Sequence, residues 1–151
     1  MENNYFPKIS VITVTYNAEK YLEKTIDSVI EQSYSNLEFI IVDGNSTDNT
    51  VNILSDYMNV IDVVIRELDR GLYDAMNKGI SKASGDYLVF LNAGDVFHSL
   101  TTIEQLIRTI PFGVQPDVIY GNTAIVNYAG EFLHMRRLQP PKELTWKSFS
   151  K

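Results

Sequence analysis

The sequence predicts an α/β fold: a mostly parallel sheet with helices on both faces, followed by a C-terminal β-hairpin. Three observations point there. Short runs rich in β-branched residues alternate with segments whose apolar residues recur at helical spacing. The first run, with Ile9, Val11, Ile12 and Val14, is apolar on both faces, as interior parallel strands are. After Tyr120 the alternation stops, and two short runs flank Tyr128-Ala129-Gly130, a hairpin signal.

The elements follow in order. Lys8 to Tyr16 is the first strand, and Asn17 stands where it can cap the next helix. In that helix Leu22, Ile26, Val29 and Ile30 share one face. Leu37 to Val42 is the second strand, ending at Asp43-Gly44. Asn45-Ser46-Thr47-Asp48 offers caps for a helix through Val51, Leu54 and Tyr57, and Asp48 suits the positive end of its dipole. Val60 to Ile65 is the third strand. Leu72, Met76, Ile80 and Ala83 form the next helical stripe, and Ser84-Gly85 ends it. Tyr87 to Leu91 is an apolar run read as a buried strand, stopped by Asn92-Ala93-Gly94-Asp95. Ile103, Leu106, Ile107 and Ile110 mark a further helix, stopped by Pro111, and Val118 to Tyr120 a fifth short strand. Thr123 to Asn127 and Glu131 to Met135 are the hairpin arms. Gln139-Pro140-Pro141 breaks the chain, and Thr145 to Phe149 has no clear period.

Composition narrows the function. With 151 residues the chain suffices for one domain with one sizeable core, and a single domain over residues 1–151 is expected. Hydrophobic content of 44% and charged content of 21% argue against disorder. Net charge is −6 and the pI about 4.8, which speaks against nucleic-acid binding by charge. Without cysteine there is neither a disulfide framework nor thiolate chemistry. No apolar run reaches the length of a transmembrane segment, and Met1-Glu2-Asn3-Asn4 lacks the start of a signal peptide. A cytoplasmic location is therefore expected, with peripheral attachment to the inner face of a membrane left open.

Chemistry collects at the strand ends. The first four strands end in Thr15-Tyr16-Asn17, Asp43, Glu67 to Arg70, and Asn92 to Asp95. In a parallel sheet these ends share one edge, the default ligand crevice. Asp95, at a strand's carboxyl end, can hold a divalent metal against a diphosphate. Dinucleotide, P-loop and nucleophile-elbow signatures are missing, and His98 and His134 lack metal-ligand spacing.

Four stretches carry a family resemblance. Val11-Ile12-Thr13-Val14-Thr15-Tyr16-Asn17, Ile41-Val42-Asp43-Gly44-Asn45-Ser46-Thr47-Asp48 and Asp74-Ala75-Met76-Asn77-Lys78-Gly79-Ile80 resemble family 2 glycosyltransferases. Phe90-Leu91-Asn92-Ala93-Gly94-Asp95 resembles their metal-motif region. The resemblance runs from Pro7 to Tyr120 and implies the GT-A fold, with its Rossmann-like sheet. It implies inverting transfer of a sugar from a nucleotide-diphosphate donor, most often a UDP-sugar, to a saccharide or lipid-linked acceptor in polysaccharide or cell-envelope assembly. The expected cofactor is a divalent metal, Mg²⁺ or Mn²⁺. Asp95 matches the last acid of the Asp-x-Asp motif, the metal ligand. Asp43 matches the acid that accepts the nucleobase imide N–H, and Thr15, Tyr16 and Asn17 would line base and ribose. Asp69 and Arg70 match a loop that reaches the nucleotide. Lys78 faces the diphosphate or pairs with Asp74, one helical turn away.

Each has a blander role beside it. Asp95 would cap its turn, Asp43 would cap the next helix, Tyr16 would be a core aromatic, and Arg70 a solvated arginine. Two departures from the family qualify the resemblance. Asn92 stands where an Asp commonly sits, so the metal motif carries less acid. The general base should lie well beyond the metal motif, and neither Glu131 nor Glu143 sits in a recognisable base motif. A chain cut short, lacking the acceptor half and with its base beyond Lys151, is the expectation, and the exposed hairpin could drive homo-oligomerisation. The competing functions are a non-catalytic nucleotide-binding module, a nucleotidylyltransferase and a signalling receiver phosphorylated on Asp43.

Overall fold

The four apolar runs of the first part form strands β1 (Ile9–Thr15), β2 (Leu37–Asp43), β3 (Val63–Arg66) and β4 (Tyr87–Phe90). They pair in parallel in the order β3-β2-β1-β4. The computed structural model describes residues 6–127 and 129–136. Helices α1 (Leu22–Ile30), α2 (Thr50–Asp56), α3 (Leu72–Ile80) and α4 (Thr102–Arg108) connect or follow these strands. The chain divides into two units, Met1–Phe112 and Gly113–Lys151. The expected Gln139-Pro140-Pro141 break, the Thr145 to Phe149 segment, Glu143 and Tyr128 lie outside the described residues.

Strand order dictates which face each helix covers. From β1 to β3 the chain steps one way along the sheet, and from β3 to β4 it returns past β2 and β1. Right-handed crossovers put helices on opposite faces when the direction reverses. Accordingly, Ile12, Val14, Ile40 and Val42 pack with Ala75 of α3 in one buried cluster. The alternate residues Ile9, Val11, Phe39 and Ile41 are buried as well, so both faces of the central strands are covered.

α3 lies close to the sheet because its inner face is small. A Cβ on Gly79 would come within 2.5 Å of Ile12 Cγ2 and 3.4 Å of Val42 Cγ2. This shifts the helix face from the one read in the sequence. Ala75 and Gly79 are its buried residues, Met76 and Ala83 flank them, and Leu72 and Ile80 are exposed. Small residues permit the nearest approach, so they set the contact line and turn the larger side chains away.

Other expectations are corrected. Ile30 is exposed at the end of α1, while Leu22, Ile26 and Val29 are buried as read. Asn17 does not cap α1: its backbone is left-handed, with φ 48°, and its side chain bonds elsewhere. β4 is only half-buried, with Leu88 and Phe90 exposed, because it ends the described row of strands. Residues 118–120 form no strand, and Val118 and Tyr120 are exposed. An apolar triplet lacks the length to hold a ladder without a partner strand.

The second unit contains the expected antiparallel hairpin, β5 (Ala124–Val126) with β6 (Phe132–Met135). Asn127 shapes its turn by accepting the backbone N–H groups of Ala129 and Glu131, both at 2.9 Å. Ile125, Val126, Phe132, Leu133 and Met135 are exposed, as the sequence suggested.

Candidate functional site

The sheet order places a topological switch point between β1 and β4, whose carboxyl ends define the default crevice of an open α/β sheet. Thr15 closes β1, in register with Asp43 at the end of β2, which pairs in turn with Arg66 at the end of β3. On the other side Ala93 N–H donates to Val14 O at 3.2 Å, which fixes Asn92 beside the end of β1. The four expected strand ends therefore do share one edge.

Two polar atoms stand out there. Thr15 Oγ1 and Asn92 Oδ1 are buried and have no hydrogen-bond partner among the described residues. Leaving a buried acceptor unpaired costs about 1–3 kcal/mol, so such atoms in a crevice mark where a ligand or water completes the structure. Asp95 is exposed, and its carboxylate accepts no hydrogen bond among the described residues. The turn that it was expected to cap is held from α1, where Phe97 N–H donates to Ser28 Oγ at 3.3 Å. Among the described residues no three Asp, Glu or His side chains gather as a metal cage. A hard cation fits Asp95 as one exposed oxygen ligand beside phosphates and waters.

Asp43 is fully buried and already engaged. Its carboxylate accepts Ser46 N–H at 3.2 and 3.1 Å, Ser46 Oγ–H, and Arg66 Nε–H at 3.2 Å. Arg66 also donates to Ser46 O at 3.0 Å. Asp43 therefore holds the Ser46 turn and does not cap α2, which begins at Thr50 with Asn49 as its N-cap and no side-chain cap bond.

That turn is stitched to the loop after β1. Asn17 N–H donates to Ser46 Oγ at 2.8 Å, and Thr47 N–H donates to Asn17 Oδ1 at 2.9 Å. Ala18 N–H reaches Thr50 Oγ1 at 2.9 Å, Glu19 N–H reaches Asp48 Oδ2 at 3.2 Å, and Asn49 N–H reaches Glu19 Oε2 at 2.9 Å. Asp48 also accepts Thr50 N–H at 3.1 Å, just before α2. Burial opposes its charge, but the Thr50 and Glu19 bonds hold its pKa below the ordinary value. The two loops form one preorganised wall, which keeps Tyr16 outward: at 64% exposed it is no core aromatic.

Tyr16 and Asp69 meet over Gly44. A Cβ there would lie 2.5 Å from Asp69 Oδ2 and 3.4 Å from Tyr16 Cδ2, so glycine makes room for both. Asp69 Oδ1 accepts Gly71 N–H at 2.8 Å, and Gly71 supplies the left-handed φ of 112° that the loop needs. Arg70 is exposed. Lys78 is committed elsewhere, to Leu68 O at 2.6 Å, Glu67 at 3.1 Å and Asp74 at 3.4 Å.

Sequence reasoning gave no role to Arg66, although its position at a strand end was visible. It also passed over Thr25 and Ser28 on α1 and Gln32 just beyond its end, which together hold the 94–103 segment. Thr25 Oγ1 accepts Gly94 N–H at 2.9 Å, and Gln32 bonds Ser99 O at 2.8 Å and Ile103 N–H at 3.1 Å. Their three- and four-residue spacing was the available signal. His98 and His134 are exposed.

The profile of glycosyl transferase family 2 matches residues 10–149. The chain belongs to this family. It is 34% identical over 119 residues to a PGL/p-HBAD biosynthesis glycosyltransferase of Mycobacterium bovis, covering 77% of this chain and 46% of the relative. It is 44% identical over 95 residues to a Bacillus subtilis protein, TuaG, whose name assigns it to teichuronic acid biosynthesis, covering 61% and 38%. The chain thus spans less than half the length of these relatives. Among solved structures, the family member resembles a mannosyltransferase from Pyrobaculum calidifontis in complex with GDP-Man and Mn²⁺. That match has TM-score 0.65 and 26% identity, covering 71% of this chain and 33% of that one. It also resembles S. aureus TarS 1-349 in complex with UDP, with TM-score 0.60 and 30% identity, covering 65% and 30%. The α/β architecture is that of the GT-A glycosyltransferases, as the resemblance implied.

Proposed function

We propose that this glycosyltransferase chain carries the donor-binding half of an inverting, metal-dependent enzyme. Its donor is a nucleotide-diphosphate sugar, a UDP-sugar in the first instance. Its acceptor is a saccharide or lipid-linked saccharide of polysaccharide or cell-envelope assembly. The observation that carries the reading is the edge at the β1–β4 switch point. There the exposed Asp95 lies in the turn after β4, and Thr15 Oγ1 and Asn92 Oδ1, unpartnered among the described residues, mark the ends of the adjoining strands. The UDP and GDP-Man complexes of the structural relatives support a nucleotide-diphosphate donor, and the Mn²⁺ of one supports a cation.

Each group has a task in this reading. A divalent cation, when bound, offsets the negative charge that develops on the departing diphosphate. Asp95 holds that cation's protein side. Thr15 and Asn92 satisfy their buried oxygens on ribose hydroxyls, Tyr16 offers a flat face to the base, and Asp43 buttresses the base wall through Ser46. Asp69 and Arg70 close the nucleotide from the loop after β3, with Arg70 free to meet phosphate charge.

Calorimetric titration of the chain and of Asp95→Ala with UDP and Mn²⁺ tests it. Mn²⁺-dependent UDP binding is expected, weakened at least about tenfold by the substitution, the scale of losses at metal sites. Equal, metal-independent binding by both proteins removes the Asp95 assignment. Binding of GDP in place of UDP changes the donor class. The second reading, a nucleotide-binding module without transfer, predicts UDP binding but no release of UDP from UDP-sugars in the full-length protein.

A further inference from the structure

Lys78 and Asp74 lie one turn apart on α3, and both reach the main chain of the loop over residues 67–71. Lys78 Nζ donates to Leu68 O at 2.6 Å, while Asp74 Oδ2 accepts Arg70 N–H at 3.0 Å. Lys78 Nζ also lies 3.1 Å from Glu67 Oε1 and 3.4 Å from Asp74 Oδ2. An ammonium has three donors, and these partners occupy them.

We propose that Asp74 and Lys78 are positioning residues that clamp this loop and thereby fix Asp69 and Arg70 at the nucleotide edge. The proposal deepens the donor-site reading and rests on it. Backbone bonds hold the loop's two ends, Glu67 N–H to Asp43 O at 3.1 Å and Asp74 N–H to Gly71 O at 3.0 Å, and leave the stretch between them to side chains. Leu68 is 77% exposed, so apolar packing is not its anchor, and Gly71 adds a conformation of high entropic cost. Yet Asp69 has to sit closely over Gly44, where a single Cβ would displace it. The polar clamp supplies the missing restraint.

The titration behaviour agrees. Partial burial works against the charge on Lys78, but its hydrogen bond to Glu67 and that group's charge, with Asp74 behind them, raise its pKa. The Arg70 N–H is the largest influence on Asp74 and lowers its pKa; burial opposes this, and Lys78 adds to it. Both residues stay charged across the neutral range, so the clamp is permanent rather than pH-gated. Packing of α3 on the sheet runs through Ala75 and Gly79, so the clamp can be removed without removing the helix.

Trypsin provides a test that needs no nucleotide, because Arg70 is exposed and its bond to Gly71 lies inside the clamped loop. The parent, Lys78→Met, Lys78→Arg and Asp74→Ala are digested under native conditions, and cleavage at Arg70–Gly71 is followed by mass spectrometry. Cleavage of a locally opened segment tracks the open population, so loss of one charge-assisted bond should speed it about tenfold in Lys78→Met and Asp74→Ala. Lys78→Arg should return towards the parent rate, and cleavage at Lys20–Tyr21 should not change. An unchanged rate at Arg70–Gly71, or equal acceleration at Lys20–Tyr21, overturns the clamp.

Calorimetry with UDP and Mn²⁺ then reads position. Lys78→Met should weaken binding in the parent background but add nothing once Asp69 is replaced by Ala. Equal loss in both backgrounds would mean that Lys78 meets the diphosphate directly, and the positioning role falls. A parent chain that binds neither UDP nor GDP sinks the donor-site reading, while the cleavage rates still decide the clamp.

Discussion

Glu38 sits on β2 at the sheet edge opposite the site, 7% exposed, and joins three parts of the fold. Its Oε1 accepts Lys8 Nζ–H at 2.9 Å and Ser84 Oγ–H at 2.5 Å; its Oε2 accepts Ser10 Oγ–H at 2.5 Å and Ser84 N–H at 2.8 Å. Ser84 belongs to the segment that returns from α3 to β4, so this carboxylate pins the crossover that delivers Asn92 and Asp95. Glu38→Gln presents an amide N–H₂ where the carboxylate accepted, leaves Lys8 without its anion and sets a donor against a donor. Burial opposes the charge of Glu38, but the Ser10, Ser84 and Lys8 bonds outweigh it and lower its pKa from 4.5 to about 2.

The sign of the pH effect follows from that depression. A carboxylate with a depressed folded pKa stabilises the fold above its unfolded value and loses that contribution as pH falls through the folded one. At about 1.36 kcal/mol per pKa unit the contribution is about 3 kcal/mol at pH 7 and about 1 kcal/mol at pH 3. A unit of about a hundred residues loses about 4 °C in Tm per kcal/mol. Thermal unfolding of parent and Glu38→Gln should therefore differ by about 10 °C at pH 7, and the gap should narrow towards pH 3. A gap below about 3 °C at pH 7, or one that does not change with pH, refutes the reasoning.

Two further outcomes follow from packing and pairing. Gly79→Ala should destabilise by about 1–2 kcal/mol in urea unfolding: the Ile12 clash costs more than the helix propensity gained, and a stabilised variant would contradict the close approach of α3. Arg66→Met should cost about 2 kcal/mol by the same measurement. That is less than a fully buried pair, because Ser46 still serves Asp43 and the Arg66 side chain is 44% exposed; a loss under about 0.5 kcal/mol would show that Ser46 alone suffices.

Much of the fold was legible because it rests on local patterns. The first two apolar runs became β1 and β2 almost residue for residue, and the α1 stripe at Leu22, Ile26 and Val29 is buried as spaced. The stripe on α3 was misread for a physical reason. Leu72 and Ile80 have the right period, but Ala75 and Gly79 decide the contact line, since a helix settles on its smallest side chains when the sheet beneath is bulky. The 118–120 triplet looked like a strand because β-branched composition is local, whereas a strand needs a neighbour.

By itself, the sequence determined the alternating α/β plan, the gathering of Thr15, Asp43, Asp69 and Asn92 to Asp95 at strand ends, and the resemblance that the family match bears out. These follow from periodicity and from the rule that parallel strands end on one edge. Only the tertiary structure decided who partners whom. It gave Asp43 to Arg66 and Ser46, Lys78 to the Leu68 carbonyl as well as to Asp74, and Glu38 to a residue forty-six positions away, while leaving Thr15 Oγ1 and Asn92 Oδ1 unsatisfied among the described residues. A polar side chain declares in sequence only that it needs a partner; chain topology, by bringing distant segments to one place, chooses it.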